Sequence, residues 1–305
     1  MTMSAEKSTG QGDLRLAQIM LFIAPCFFVS NMLVARAAAD LVPPVALAVG
    51  RWGFVVLLML PFTAAVLWRH RQTVLKELPD LMLLGALGMG VCGAFVYIAA
   101  DTTTATNIGL IYAASPVLIV LLARYIYGEA MSARQGAGLG LALLGVVIIL
   151  CQGSLGVLTS FSFTVGDIWT LASMTAWAVY SVLILHRRSK LDVLPRFVAI
   201  AACGVICMLP FLVWEAQWEP TTLNARTLGI MLFLAVVASC FAYLSYTYIQ
   251  RKLGASRTSL LMYLMPVYNS VLAVALLGER LAVFHLVGGG LVLFGLLLSS
   301  VRRKA

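Results

Sequence analysis

Ten apolar runs of 15 to 24 residues, nearly all long enough to cross the roughly 30 Å hydrocarbon core of a bilayer, follow one another along the chain. They run Leu16–Ala35, Val45–Trp68, Leu81–Ala100, Thr106–Tyr127, Ala137–Cys151, Ile168–Leu185, Phe197–Trp214, Leu228–Ile249, Thr258–Leu277 and Val283–Val301. In lipid every backbone amide must be satisfied within the protein, and uninterrupted runs of this length do so as helices. A water-soluble domain is excluded, because 62% of the 305 residues are hydrophobic and only 11% are charged. The connections are mostly shorter than about 15 residues, which leaves no room for a separate catalytic domain. The expected fold is an all-α integral membrane bundle of ten transmembrane helices.

Charge sets the expected orientation. With the N-terminus in the cytoplasm, seventeen Lys and Arg fall on the inner side, three (Arg36, Arg226 and Arg280) on the outer side and Arg51 inside a span, which accounts for all 21. A bias this strong puts both termini in the cytoplasm. The net charge of +9 therefore orients spans and does not point to nucleic acid. Residues 1–15 read as a polar cytoplasmic tail before a retained first span, since no small-residue cleavage site clearly follows it. Residues 302–305 read as a basic cytoplasmic tail. The six cysteines lie almost entirely within apolar runs and read as packing residues; Cys203 and Cys207 share a helix face but lack the further ligands of a zinc set. No cofactor is expected.

The chain also repeats itself. Sliding it by 150 residues from Ala105 to Leu150 places Pro116 on Pro266, Gly128-Glu129 on Gly278-Glu279, Gly138 on Gly288 and Gly145 on Gly295. A proline followed twelve residues on by Gly-Glu is not a chance match of common apolar residues, and so long a period means duplication of a multi-helix unit. The units are residues 16–151 and 168–301, joined by a linker at 152–167 that carries no Lys or Arg. Five helices per unit is odd, so the second copy enters the membrane from the opposite face. Two inverted five-helix repeats of this kind build related gates around a midplane site.

The pattern P-x11-G-E followed by a glycine-rich span, at Pro116 to Gly145 and again at Pro266 to Gly295, resembles the EamA-type repeat, as does Ala176-Trp177-Ala178-Val179-Tyr180-Ser181 opening the second half. The resemblance covers nearly the whole chain and implies membership of the drug/metabolite transporter superfamily. Within it the chain looks most like the ten-helix bacterial exporters of amino acids and related metabolites, among them the YddG-type aromatic amino-acid exporters. That implies a bacterial inner-membrane location, a small-molecule solute and alternating access. The first half departs from the pattern, with Pro25-Cys26-Phe27 in place of Ala-Trp-Ala.

Several residues are candidates for the solute site. Pro116 and Pro266 occupy matched places, with Tyr112, Ser115, Tyr263 and Asn269 near them, and proline in a membrane helix frees a carbonyl one turn back. They either kink two helices around a cavity or only bend them to fit the bundle. Arg51 is the one full charge well inside a span, and leaving it unpaired would cost roughly 3 kcal/mol or more. It holds a solute carboxylate, or else it snorkels or pairs with Asp40 or Asp101. Trp177, Tyr180 and Ser181 in the sixth helix and Tyr97, Tyr243 and Tyr246 in the third and eighth suit an apolar pocket with a few hydroxyls. Trp169 and Tyr248, near span ends, read as interfacial. Ser30 and Asn31 reach the same cavity or bridge helices.

Glu129 and Glu279 are expected to sit at the start of the helix that follows each of them, where amide groups favour negative charge. With almost no carboxylate in mid-membrane, a proton relay has little material, and facilitated or loosely coupled flux is expected. A membrane-embedded enzyme would need a catalytic set, and the only histidines, His70, His186 and His285, lie near span ends. An exporter of lipophilic cations would want an acid in the cavity where this chain has Arg51. A membrane protein without flux fits the duplicated prolines poorly. Two five-helix halves can enclose a cavity alone, so a monomer is expected.

Overall fold

The computed structural model describes residues 2–112, 114–128, 132–150, 164–253 and 260–300. Cys151, Glu129, most of the 152–167 linker and the 302–305 tail therefore lie outside the described residues, as do the side chains of Pro116, Tyr263 and Pro266. Every regular element among the described residues is helical. Seven helices are long and apolar enough to cross a membrane, and three shorter apolar ones, Gly136–Ile149, Val267–Leu277 and Val283–Gly295, complete the ten expected spans.

In chain order the helices are α1 (Thr2–Ala38), α2 (Pro44–Arg69), α3 (Arg71–Gly85), α4 (Cys92–Ala100), α5 (Ala105–Tyr112), α6 (Ser115–Tyr127), α7 (Ala133–Leu150), α8 (Val165–His186), α9 (Val193–Glu215), α10 (Ala225–Ala235), α11 (Ala242–Leu253), α12 (Leu260–Leu277) and α13 (Val283–Ser300). The third span is α3 and α4 joined through a π-turn at Ala86–Val91, and the eighth is α10 and α11 joined through one at Val236–Phe241. These two turns are 150 residues apart at both ends. So are the left-handed glycines that end the fourth and ninth spans, Gly128 at φ 69° and Gly278 at φ 67°. A side chain resists that conformation, which is why both copies keep glycine there.

End-to-end contacts show that the copies are inverted. The end of α1 meets the end of α4, where Arg36 Nη1 donates to the Ala100 carbonyl at 2.6 Å. On that same face the end of α9 meets the start of α2, its repeat mate: Glu215 accepts from the Val45 and Ala46 amides at 2.8 and 2.7 Å. At the other face α11 ends beside α1, with Lys252 Nζ 2.5 Å from Asp13 Oδ2, and Arg187 pairs with Asp80. The faces are called here the Arg36 face and the Arg187 face.

The polar opening is helical and continuous with the first span, because α1 starts at Thr2. Two expectations differ from what the structure shows. The matched prolines act differently: Pro116 is the second residue of α6 after a break at Ala114, whereas Pro266 lies within the continuous α12. Proline suits the first turn of a helix, where its missing N–H has no partner to lose. Glu279 does not serve the helix that follows it. Its carboxylate takes the Ala105 and Thr106 amides at 2.8 and 3.1 Å, capping α5 of the opposite half. Glu215 and Glu279 thus each tie the second repeat to a helix start of the first, where the exposed amides favour an anion.

Candidate functional site

A cleft with about 1050 Å³ of space between its walls, open mouth included, lies among α1, α2, the third span, α5, the start of α6, α8, the eighth span and α12. Its wall includes Asn31, Arg51, Tyr112, Ser115, Trp177, Tyr243 and Asn269 from the candidates above. It also includes Phe28, Met32, Trp52, Cys92 and Ala238, which sequence reasoning did not single out. Most of the wall is apolar, and its polar groups fall into three sets.

The first set surrounds Arg51, which is 7% exposed. Its Nε donates to Ser239 Oγ at 2.7 Å, Nη1 to Asn31 Oδ1 at 2.6 Å and Tyr97 Oη at 3.1 Å, and Nη2 to the Ala238 carbonyl at 3.1 Å. Tyr97 donates in turn to Asn31 Oδ1 at 2.9 Å. The guanidinium also lies 4.6 Å from the centre of the Trp52 ring. Every one of these partners is neutral. The expected alternative, a bridge to Asp40 or Asp101, is not formed; Arg36 occupies that corner instead, on the Ala100 and Asp101 carbonyls. A guanidinium offers five N–H groups and four are engaged, so one Nη2 hydrogen is left over. The cation is held rigidly in a low-dielectric wall with its charge uncompensated among the described residues.

The π-turn is what makes this possible. Such a turn shifts the hydrogen-bond ladder by one residue and releases carbonyls from it, and π-turns concentrate at functional sites. In the second half the turn presents the Ala238 carbonyl and Ser239 hydroxyl to Arg51. The equivalent turn of the first half places Gly88 and Met89 in the cleft wall. Arg51 itself has no charged counterpart, since the residue 150 positions on is Ala201. A symmetric scaffold thus carries an asymmetric charge.

The second set is Tyr112, Ser173 and Cys92. Ser173 Oγ donates to the Cys92 carbonyl at 2.6 Å, which leaves it as acceptor for the Tyr112 hydroxyl, and Cys92 Sγ is 3.4 Å from the same hydroxyl. The third is aromatic. Trp177 lies 5.5 Å from Tyr180, the Tyr180 and Tyr243 hydroxyls are 3.4 Å apart, and Tyr243 stacks on Phe197 at 4.2 Å. Asn269 is 1% exposed; its Nδ2 donates to the Ala105 carbonyl at 2.6 Å, and its Oδ1 has no partner among the described residues.

The other candidates sit elsewhere. Ser30 and Ser181 bond back to their own helices, to the Phe27 and Trp177 carbonyls, and are not in the wall. Tyr246 packs edge-on against Phe28 behind it. Tyr97 and Tyr180 back the wall without lining it.

Charges at the Arg36 face have a measurable signature. Asp101 sits in the turn after α4, and burial, reinforced by the Glu219 and Asp40 carboxylates against the pull of Arg36, pushes it from 3.8 up to about 6. The folded protein then holds this proton more tightly than the unfolded chain does, so stability grows as pH falls through 6 toward 3.8. Above that window the gain is lost. Protein in detergent is expected to melt at a higher temperature at about pH 5 than at about pH 7.5, and Asp101→Asn is expected to narrow the difference in a thermal-shift series.

A family model described as the EamA-like transporter family matches residues 15–151 and again residues 164–301. The chain is 27% identical over 288 residues to YyaM of Bacillus subtilis, described as an uncharacterized transporter, covering 92% of each chain. It is 27% identical over 235 residues to a probable terminal-alkyne amino-acid exporter of Streptantibioticus cattleyicolor, covering 76% of each. A solved crystal structure superposes with a TM-score of 0.61 at 21% identity over 93% of this chain and 96% of that one, a likeness of fold alone.

Proposed function

The chain belongs to the EamA-like transporter family, and from that premise we propose that it exports amino acids, large or aromatic ones among them, by alternating access around the Arg51 cleft. The observation that carries the reading is Arg51, a buried cation in the cleft wall whose partners are all neutral. A solute carboxylate supplies the missing charge, and the guanidinium retains a hydrogen for it. Asn269, a wall residue whose amide oxygen has no partner among the described residues, is the candidate for the ammonium end of a zwitterion. Phe28, Trp52, Trp177 and Tyr243 offer rings to a large side chain. A lipophilic cation would meet like charge here. The relative described as a probable terminal-alkyne amino-acid exporter supports this assignment.

On this reading the protein is a monomer in a bacterial inner membrane with the Arg187 face toward the cytoplasm, the orientation that the excess of Lys and Arg supports. The test is uptake into proteoliposomes with a panel of labelled amino acids, a quaternary ammonium dye and a sugar, each with and without a proton gradient. Saturable amino-acid flux is the expected result. Flux of the dye alone overturns the assignment.

A further inference from the structure

Tyr243 stands in the wall of the Arg51 cleft and also in the wall of a second cavity. That cavity, with about 790 Å³ of space, open mouth included, lies between α2, the start of α9 and the eighth span. Met59, Leu194, Phe197, Leu244 and the Tyr243 and Tyr248 rings give it a mostly apolar wall. It belongs to the Arg187-face half of the bundle: Leu194 is in the first turn of α9, and the Tyr248 hydroxyl donates to the Asp13 carbonyl at 3.2 Å, beside the Lys252–Asp13 pair. Leu244 is 47% exposed, so the rim of the cavity reaches the periphery of the bundle.

One aromatic layer separates the two spaces. Phe197 lines the second cavity and not the cleft, Trp52 lines the cleft and not the second cavity, and their rings meet edge-on at 6.1 Å. Tyr243 stacks on Phe197 at 4.2 Å and its hydroxyl lies 3.4 Å from that of Tyr180, so the ring is held both at its face and at its tip. It follows Ser239, the partner of Arg51 Nε, by four residues, a rise of roughly 6 Å along the span toward the Arg187 face. A solute with its carboxylate on Arg51 therefore meets this ring within the reach of an ordinary side chain.

The repeat shows that the scaffold itself needs no ring here. The residue 150 positions before Tyr243 is Gly93, likewise the second residue of the helix after its π-turn and likewise in the cleft wall. Packing is the plain alternative for a half-buried tyrosine in an apolar bundle. A ring that only packed would be enclosed by side chains, whereas Tyr243 borders open space in the cleft and in the second cavity. We infer that Tyr243 sets the length of side chain that the cleft accepts: it is the stop at the end of the solute's apolar part, and it shuts off a space that takes a longer chain once the ring is gone. This deepens the exporter reading and rests on it for the solute; the partition between the two cavities does not.

The test is competition by straight-chain α-amino acids of six, eight and ten carbons against counterflow of a labelled amino acid in proteoliposomes, corrected with protein-free liposomes. In the wild type the gain with each added methylene is expected to stop before ten carbons. In Tyr243→Ala, and in the milder Tyr243→Leu, it is expected to continue to the ten-carbon acid at about fourfold per methylene, the worth of burying one CH₂ group. Tyr243→Phe keeps the ring and is expected to keep the wild-type limit. The ratio between chain lengths is the readout, because a merely structural loss weakens all lengths alike. A wild type that gains steadily through ten carbons, or a folded Tyr243→Leu protein with the wild-type limit, overturns the inference. If no labelled amino acid exchanges in the wild type, the exporter reading fails, and calorimetric binding of the same three acids to wild-type and Tyr243→Leu protein in nanodiscs decides the partition by the same ratio. Absence of binding to both overturns it as well.

Discussion

Arg51→Gln is expected to lower the flux of carboxylate-bearing solutes roughly 30- to 150-fold, the loss of about 2–3 kcal/mol that a desolvated charge-assisted contact contributes. The same substitution should leave the melting temperature of the empty protein within about 4 °C of wild type. The two halves of this expectation come from one observation. Arg51 is fixed by four hydrogen bonds to neutral groups, Ser239, Asn31, Tyr97 and the Ala238 carbonyl, with no counter-charge among the described residues. The hydrogen bonds are favourable, while burying a lone cation costs several kcal/mol, and removing both nearly cancels. What does not cancel is the attraction for an anion in the cleft. Counterflow with an amino acid and with its methyl ester separates the cases. An equal loss for both would make Arg51 a structural strut between α2 and the eighth span.

Much of this architecture is legible in the sequence because lipid is an undemanding reader. Run length and the excess of Lys and Arg on one set of loops give the spans, and the 150-residue echo gives the inversion. The place of Arg51 was legible too, as a charge where charge is expensive. Its partners were not. Ser239 and the Ala238 carbonyl face Arg51 through a π-turn, and nothing in VVASCF distinguishes a shifted hydrogen-bond ladder from a regular one. The hydroxyls divide for a similar reason: a serine in a helix can always return to a carbonyl of the preceding turn, as Ser30 and Ser181 do, so its identity alone does not bring it to a cavity. Asp167 sits at the edge of a span, where an acid suggests only a cap; the fold shows Thr103 and Asn107 of the other repeat donating to its carboxylate.

Replacing Gly145 or Gly288 is expected to do more damage to the folded protein than any change in the cleft. Here α7 and α13, the fifth helices of the two repeats, approach backbone to backbone. A Cβ on Gly145 would come within 2.4 Å of the Gly288 carbonyl oxygen, and one on Gly288 within 2.7 Å of the Gly145 oxygen, so each glycine is the other's contact. Two turns further along, a Cβ on Gly295 would meet the Gly138 oxygen at 2.4 Å. Lipid gives no hydrophobic drive to hold two such helices together. Their association depends on close van der Waals packing and Cα–H···O contacts, both of which fall off within an ångström. Neither backbone can yield as a side chain would. Gly145→Val must therefore part the helices along a seam that includes the buried Ala142, Ile149 and Val292. Overpacking of this kind costs about 1–3 kcal/mol, and the lost seam adds to it. Gly145→Val should lower the melting temperature in detergent and leave little monodisperse protein on size exclusion. Gly140→Val is the control, since a Cβ there meets nothing within 4 Å. If the control and the seam variant melt together, the glycine pairs are not what holds the fifth helices of the two repeats in place.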